Sequence, residues 1–372
     1  MTGYMTVRPS GTWALALVPI RRVLAIVAMA VLVGGCSGGG TTGAIATPGA
    51  PINAGASDLQ GRLKLGYFPN ITHATAIVGV ESGIFARALG PGVTVETASF
   101  NAGSSAVEAL LNGAIDVSYI GPNPAINAFA KSSGQAIRII AGATSGGAFL
   151  IVQPSIKSAK ELKGKQVASP QLGNTQDVAL RTWLKKKGLK TDTAGGGDLS
   201  ILPQENAQTL DLFKRGEIDG AWVPEPWATR LVNEGGGKVL VDESTLWPKG
   251  QYVTTQLIVR TEFLRDHPDA VKRLLEGQVA ANDLIKNDPA KAQDLVGQGI
   301  NNATGKPLAA DVIAASFKNL TFTDDPIATS LRKSAKDAEA AGLLKAVDLK
   351  GIYDLKLLNQ VLKKQGEPTV KS

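Results

Sequence analysis

Five short stretches of this 372-residue chain carry side chains suited to holding a small ligand, and each lies where strand-like sequence gives way to helix-like sequence. The first is Tyr67-Phe68-Pro69-Asn70-Ile71-Thr72-His73. Phe68 can cover an apolar tail, while Asn70, Thr72 or His73 can donate to an oxyanion. The second, Tyr119-Ile120-Gly121-Pro122-Asn123-Pro124, places Gly121 where a ligand can approach the backbone. The third, Thr144-Ser145-Gly146-Gly147, offers Ser145 and Gly146 as contacts or as a hinge. The fourth runs from Ser169 to Gln176, with Gly173 followed by Asn174 and Thr175, a helix cap with exposed amides behind it. The fifth, Ala221-Trp222-Val223-Pro224-Glu225-Pro226-Trp227, can wall a cleft with Trp227 and bring Glu225 to it. Each stretch also has a plainer reading as a helix start or a tight turn. For Glu225 that reading is a bond to helix amides or between lobes; the sharper one is a partner for an ammonium group.

The rest of the chain offers little for catalysis. There is one cysteine, Cys36, and only two histidines, His73 and His267. A nucleophile, base and orienting group cannot be assembled from these, nor can a cysteine- or histidine-rich metal site. We therefore expect no enzyme activity, no cofactor and no metal. Lys and Arg number 39 against 32 Asp and Glu, a net charge of +7. No basic run is interleaved with aromatics, so nucleic acid is not an expected partner.

The N-terminus reads as an address. Arg21-Arg22 precede an apolar run from Val23 to Val33, too short to span a bilayer but long enough for a signal-peptide core. Val33-Gly34-Gly35-Cys36 follows, similar to a bacterial lipobox, which predicts acylation of Cys36. Residues 1–35 are then a lipoprotein signal peptide and 36–57 a flexible tether without charge. Removing Arg8, Arg21 and Arg22 leaves 36 cations against 32 anions. The expected location is extracytoplasmic, anchored to the cell membrane by lipid on Cys36.

Stepping along the body, strand and helix patterns alternate. Strands are predicted near 63–68, 93–100, 116–120 and 137–143, with helices at 72–89, 104–111 and 122–132 between them. The pattern restarts with strands near 162–168, 199–202, 220–223 and 238–241, and helices at 175–187 and 207–215. A strand at 253–260 precedes a mainly helical C-terminal part. This is an α/β chain with mostly parallel sheets, in two lobes: 58–148 plus 253–372, and 149–252. Two crossings between lobes make a hinge, and the cleft between lobes favours a small ligand.

From about Leu63 to Val361 the chain resembles the substrate-binding proteins of alkanesulfonate, taurine and nitrate ABC transporters. The resemblance rests on Gly66-Tyr67-Phe68-Pro69-Asn70, Asn112-Gly113-Ala114-Ile115-Asp116-Val117, Gly121-Pro122-Asn123-Pro124, Leu162-Lys163-Gly164-Lys165 and Asp219 to Trp227, in that order. It implies a type II periplasmic-binding-protein fold. It also implies a solute whose acid group lies against the helix starts at Asn70 to His73, Gly121 to Asn123 and Gly173 to Thr175. A permease and its ATPase would be partners, and the binding protein itself a monomer. The expected solute is an aliphatic sulfonate; nitrate, taurine or a pyrimidine-type solute are alternatives, as are a ligand sensor or an exported enzyme. A fungal thiamin-pyrimidine enzyme of similar fold needs a His- and Cys-rich site, which this sequence does not have.

Overall fold

The computed structural model describes residues 57–372, and Cys36 with the rest of the expected signal segment lies outside the described residues. Ser57, at the end of the expected tether, is buried, and its hydroxyl accepts a hydrogen bond from the Leu59 amide.

Two sheets organise the chain. The first contains β1 (Gly61–Tyr67), β2 (Val93–Ser99), β3 (Val117–Ile120), β4 (Ile137–Gly146), β10 (Val253–Arg260) and β11 (Leu320–Phe322), in the order β11-β4-β10-β3-β1-β2. The second contains β5 (Ala148–Val152), β6 (Gln166–Ser169), β7 (Ser200–Pro203), β8 (Gly220–Pro224) and β9 (Lys238–Asp242), in the order β7-β6-β8-β5-β9. β1 runs parallel to β2 and β3, and β6 runs parallel to β7 and β8. β10 is antiparallel to β3 and β4, β11 to β4, and β5 to β8 and β9.

The sheets are therefore mixed rather than mostly parallel. The strands that begin just after a crossing, β5 and β10, enter their sheets from the other lobe and run against their neighbours. β5 was not expected, and its five residues are all buried. The short β11 was not expected. The helix expected over 72–89 is a 3-10 turn at Ile71–His73 followed by α1 (Ala74–Glu81) and α2 (Ile84–Leu89). Gly83 at φ 71° ends the first of these, a left-handed conformation that glycine adopts without steric cost. The strand expected from 162 begins only at Gln166, because a 3-10 turn and Gly164 occupy the approach.

Helices cover both faces of each sheet. Between the strands run α3 (Gly103–Leu111), α4 (Pro122–Lys131), α5 (Thr175–Lys186), α6 (Asn206–Lys214) and α7 (Trp227–Asn233). The C-terminal part adds α8 (Thr261–Asp266), α9 (Pro268–Asn287), α10 (Pro289–Thr304), α11 (Ala310–Lys318), α12 (Ala328–Ala340) and α13 (Lys356–Gln365). One core packs Leu63, Leu65, Ile77 and Phe85 against Leu274 and Leu275 of α9. The opposite face of the same sheet packs Ile120, Ile139 and Ile258 against α4 and Leu331 of α12. The second sheet has its own pair of cores, one around Trp183 and Trp222, the other around Phe213 and Val223. Separate cores allow each lobe to hold its shape while the other moves.

Two crossings join the lobes. The first is a single residue, Gly147, between β4 and β5; Gly146 and Gly147 have φ of 84° and 70°. The second runs from Glu243 through two 3-10 turns to β10. Among the described residues, no helix is long and apolar enough to cross a membrane.

Candidate functional site

Strand ends from both sheets converge on a cavity of about 50 Å³. By the space a water molecule requires, it holds on the order of four non-hydrogen atoms. Phe68, Asn70, Thr72 and His73 line it from the end of β1, and Asn101 and Gly103 from the end of β2. Gly121 and Pro124 come from the β3–α4 junction, and Thr254 and Thr255 from β10. Across the cleft stand Pro170, Asn174, Thr175, Gln176, Asn206 and Pro224.

The electrostatics come from backbone and neutral side chains. Among the described residues, no Asp, Glu, Lys or Arg lines the cavity. Instead α3 begins at Gly103, α4 is capped by Gly121, α5 by Asn174, and α6 begins at Asn206, so these helix starts share one wall system. Each start carries unbonded amides and about half a positive charge. In α5 the first intrahelical bond is from Val178 N to Asn174 O, leaving the Thr175, Gln176 and Asp177 amides ahead of it. In α4 Pro122 and Pro124 carry no amide proton, so Asn123 N–H is what remains before Ala125. An anion gathers these partial charges; a cation is repelled by them.

His73 is 3% exposed, and its ring stacks on Phe68 with centroids 4.6 Å apart. Its Nδ1 accepts the Phe68 amide at 3.3 Å, which leaves Nε2 to carry the proton. Burial lowers its pKa from 6.5 to about 3, so the ring is a neutral donor at physiological pH. Among the described residues, no hydrogen bond satisfies His73 Nε2, the Thr72, Thr175 and Thr255 hydroxyls, or the Asn174 and Gln176 amides. Six polar side chains around so small a space need an acceptor or a water between them.

Other residues set this geometry. Asp177 Oδ2 accepts from Gly173 N at 2.9 Å and from Arg181 Nε at 3.0 Å, and its Oδ1 accepts from Ser169 Oγ at 2.7 Å. That buried carboxylate holds the loop carrying Asn174. The lobes approach closely at Gly121, where a Cβ would stand 2.7 Å from Thr175 Oγ1. Trp227 Nε1 donates to Asn70 Oδ1 at 3.0 Å and Ser104 Oγ to Gln171 Oε1 at 2.7 Å, both across the cleft.

Seven of the thirteen expected contacts line this cavity: Phe68, Asn70, Thr72, His73, Gly121, Asn174 and Thr175. Asn174 makes no side-chain cap bond, so its amide is free for the cavity. The other six lie elsewhere. Asn123 Nδ2 donates to Ser334 O behind α4, and Ser145 Oγ accepts from Tyr252 N. Gly146 O accepts from Thr254 Oγ1, Gly173 N is held by Asp177, and Trp227 bonds Asn70 rather than the cavity. Glu225 is 1% exposed and fully engaged. Its Oε2 accepts from Thr229 N and Ser316 Oγ, and its Oε1 from Thr229 Oγ1 and Asn319 Nδ2. It caps α7 and ties it to α11, the plainer of its two readings. Asn101, Gly103, Asn206 and Thr255 were not anticipated. The first three sit at strand ends opening helices, the same signal that found the others; Thr255 lies inside a strand and gave none.

Known proteins share this architecture. A taurine-binding periplasmic protein of Escherichia coli (strain K12) is 28% identical over 190 residues, covering 51% of this chain and 57% of that protein. The chain thus spans less than two thirds of that relative's length. The periplasmic nitrate-binding protein NrtA from Synechocystis PCC 6803 matches with a TM-score of 0.72 at 18% identity, over 84% of this chain and 91% of that one. The periplasmic aliphatic sulphonate binding protein SsuA from Escherichia coli matches with a TM-score of 0.64 at 20% identity, over 79% of this chain and 98% of that one. These likenesses make the fold that of the type II periplasmic binding proteins. The NMT1-like family model spans residues 58–298, from the start of the first lobe, through the whole of the second and back into α10, and it is to this family that the chain belongs.

Proposed function

We propose that this chain is the extracytoplasmic solute-binding component of an ABC importer and that its solute is a small oxyanion without an amine. One observation carries the reading: six unpartnered neutral donors and four helix starts face a cavity of about 50 Å³ that no charged side chain lines. Helix amides and hydroxyls complement a trigonal or tetrahedral oxyanion. An ammonium group would meet the positive ends of helices with no carboxylate to offset them, since Glu225 is bonded elsewhere. This favours a short aliphatic sulfonate over taurine. The cavity volume favours a second reading as well, an inorganic oxyanion such as nitrate or bicarbonate.

The remaining assignments belong to the same proposal. Residues 1–35 are the signal peptide, 36–57 the tether, 58–148 plus 253–372 one lobe and 149–252 the other. Acylated Cys36 anchors a monomer at the membrane, where it delivers solute to a permease driven by its ATPase. The protein catalyses no reaction.

Titration calorimetry of the full chain with methanesulfonate, nitrate, bicarbonate and taurine tests the solute class. At 100 times Kd a bound ligand adds about 2.7 kcal/mol to stability, which a thermal melt reads independently. We expect heat and stabilisation with at least one amine-free anion and neither with taurine. Taurine binding alone would overturn the oxyanion assignment, and binding of none of the four would overturn the solute class. For the anchor, labelled palmitate should enter the wild type and not Cys36→Ala; equal labelling of both removes it.

A further inference from the structure

Behind the cavity wall, α5 carries a buried ion pair that the donors facing the cavity do not use. Asp177 is 0% exposed and Arg181 3%, and Arg181 Nε donates to Asp177 Oδ2 at 3.0 Å. Asp177 lies in the first turn of α5, directly after Thr175 and Gln176, which line the cavity. Its carboxylate also accepts from Gly173 N and Ser169 Oγ. Arg181 Nη1 donates to the Asp192 carbonyl, and among the described residues its Nη2 has no partner. The Asp192 carboxylate accepts from Gly196 N.

Two demands meet at Asp177. Its bonds fix the loop that carries Asn174, and a full negative charge makes them strong. The same charge opposes the partial positive charge of the α5 start, where an anion has to settle. Arg181, one turn further along the helix, cancels it. Stability alone does not account for such a pair. Desolvation of two buried ions roughly offsets their attraction, and an apolar pair of similar volume often serves a fold as well. What the pair does change is the potential at the cavity, because buried charges are screened far less than exposed ones.

The charge of the solute follows from this balance. With Asp177 cancelled and no charged side chain among the described lining residues, attraction comes from the helix starts alone. Attraction to a fixed potential doubles from a monoanion to a dianion. The cost of taking the ion out of water rises with the square of its charge, about fourfold. A modest positive potential therefore favours one charge over two. Sulfate and methanesulfonate are near isosteres, so size does not separate them and charge does.

We propose that the Asp177–Arg181 pair sets the charge selectivity of the cleft, making it a site for singly charged oxyanions that rejects their dianionic isosteres. This role rests on the oxyanion reading of the cleft and needs no contact between the pair and the solute. Asp177 and Arg181 are positioning residues: the first holds the loop, and the second removes the field that holding it creates.

The test is titration calorimetry of the full chain with methanesulfonate, nitrate and sulfate, at neutral pH and constant ionic strength because salt screens such effects. The wild type should bind at least one monoanion more tightly than sulfate. Asp177→Asn, nearly isosteric, leaves Arg181 uncancelled. It should bind the monoanion about tenfold tighter and sulfate about a hundredfold tighter, since a dianion feels the added charge twice. The ratio of the two affinities, in which damage to shared bonds cancels, then moves about tenfold toward sulfate. Arg181→Gln leaves the carboxylate uncancelled and should move the ratio about tenfold the other way, so either single variant that folds, by thermal melt, decides. Asp177→Asn with Arg181→Gln restores neutrality and should return the ratio to its wild-type value. A pair that only holds the loop predicts weaker binding in each variant at an unchanged ratio, and that result overturns the assignment. So does a ratio that stays shifted in the double variant, or wild-type sulfate binding as tight as monoanion binding. A wild type that binds none of the three anions removes the oxyanion reading itself, and this role with it. A wild type that binds a monoanion while the ratio never moves removes the role of the pair alone.

Discussion

At the scale of single residues, the least expected behaviour belongs to two buried titratable groups. His73, at the cleft, has its pKa lowered to about 3 by burial alone. Glu243, at the second crossing, has its pKa raised to about 7, because burial outweighs bonds from the Trp222 and Trp247 indoles. The consequences for stability have opposite signs. Neutral His73 favours folding above its ordinary pKa of 6.5, and that contribution fades as pH falls toward 3. Glu243 favours folding most below its ordinary 4.5, and the contribution is lost as pH rises through 7. Each contributes a slope of about 1.4 kcal/mol per pH unit inside its window. Between pH 6.5 and 5 the two slopes oppose and nearly cancel in the wild type, so in urea unfolding His73→Asn should gain stability relative to it, by about 1.4 kcal/mol per pH unit, as pH falls from 6.5 to 4. Relative to the wild type, Glu243→Gln should gain about 3 kcal/mol as pH rises from 5 to 7. Variants with the wild-type slope in these windows would show that the groups are not shielded as described. His73 was legible in the sequence as a donor at a strand end. Glu225 was not legible in the same way, since two of its partners, Ser316 in α11 and Asn319 just after it, are about ninety residues away.

At the scale of elements, the site is a product of strand ends that open helices, and that rule is readable in a sequence. It located Asn70 to His73, Gly121 and Asn174 to Thr175 because proline, glycine and small polar residues punctuate those junctions. It failed where pairing rather than punctuation decides: β5 was not expected, and sheets expected to be mostly parallel take β10 as an antiparallel strand. Gly121 shows how closely the elements are fitted. Its φ of −69° suits any residue, so what requires glycine here is space. A Cβ there would meet Thr175 Oγ1 at 2.7 Å, below ordinary contact, and only when the lobes are together. Gly121→Ala should therefore fold normally, with an unchanged thermal midpoint in the absence of solute, yet bind it about tenfold or more weakly. A large loss of thermal stability would place the constraint inside one lobe instead of between two. Asn174→Ala probes the helix-start donors from the other side. It should weaken an anion by about 1–3 kcal/mol through a lost bond to a charged acceptor, read by calorimetry.

For the whole molecule, the question is what holds the lobes together. Each lobe has separate cores, and among the described residues few direct bonds stand between them: Trp227 to Asn70, Ser104 to Gln171, Lys185 to the Ala340 carbonyl, and the Glu225 cluster beside the first crossing. The Glu225 bonds lie next to Gly147, to whose carbonyl the Glu225 amide donates, so they sit near the pivot and need not break as the cleft opens. The Trp227–Asn70 bond is different, because Asn70 lines the cavity itself. It exists only when the lobes are together, and solute binding between them must shift the balance toward that state by its differential affinity. Removing such a bond raises the free energy of the closed state alone. A neutral hydrogen bond contributes about 1 kcal/mol, a factor of about five in the closing equilibrium. Trp227→Phe keeps most of the ring and the stacking surface for Arg230, whose guanidinium lies 4.9 Å from the Trp227 ring. Its solute should dissociate about fivefold faster, with association little changed, since encounter occurs in the open form. Solution scattering should show a smaller radius of gyration with solute than without it, and Trp227→Phe should need more solute to reach the same radius. If saturating, calorimetrically confirmed binding leaves the radius of the wild type unchanged, the lobes do not close on the solute.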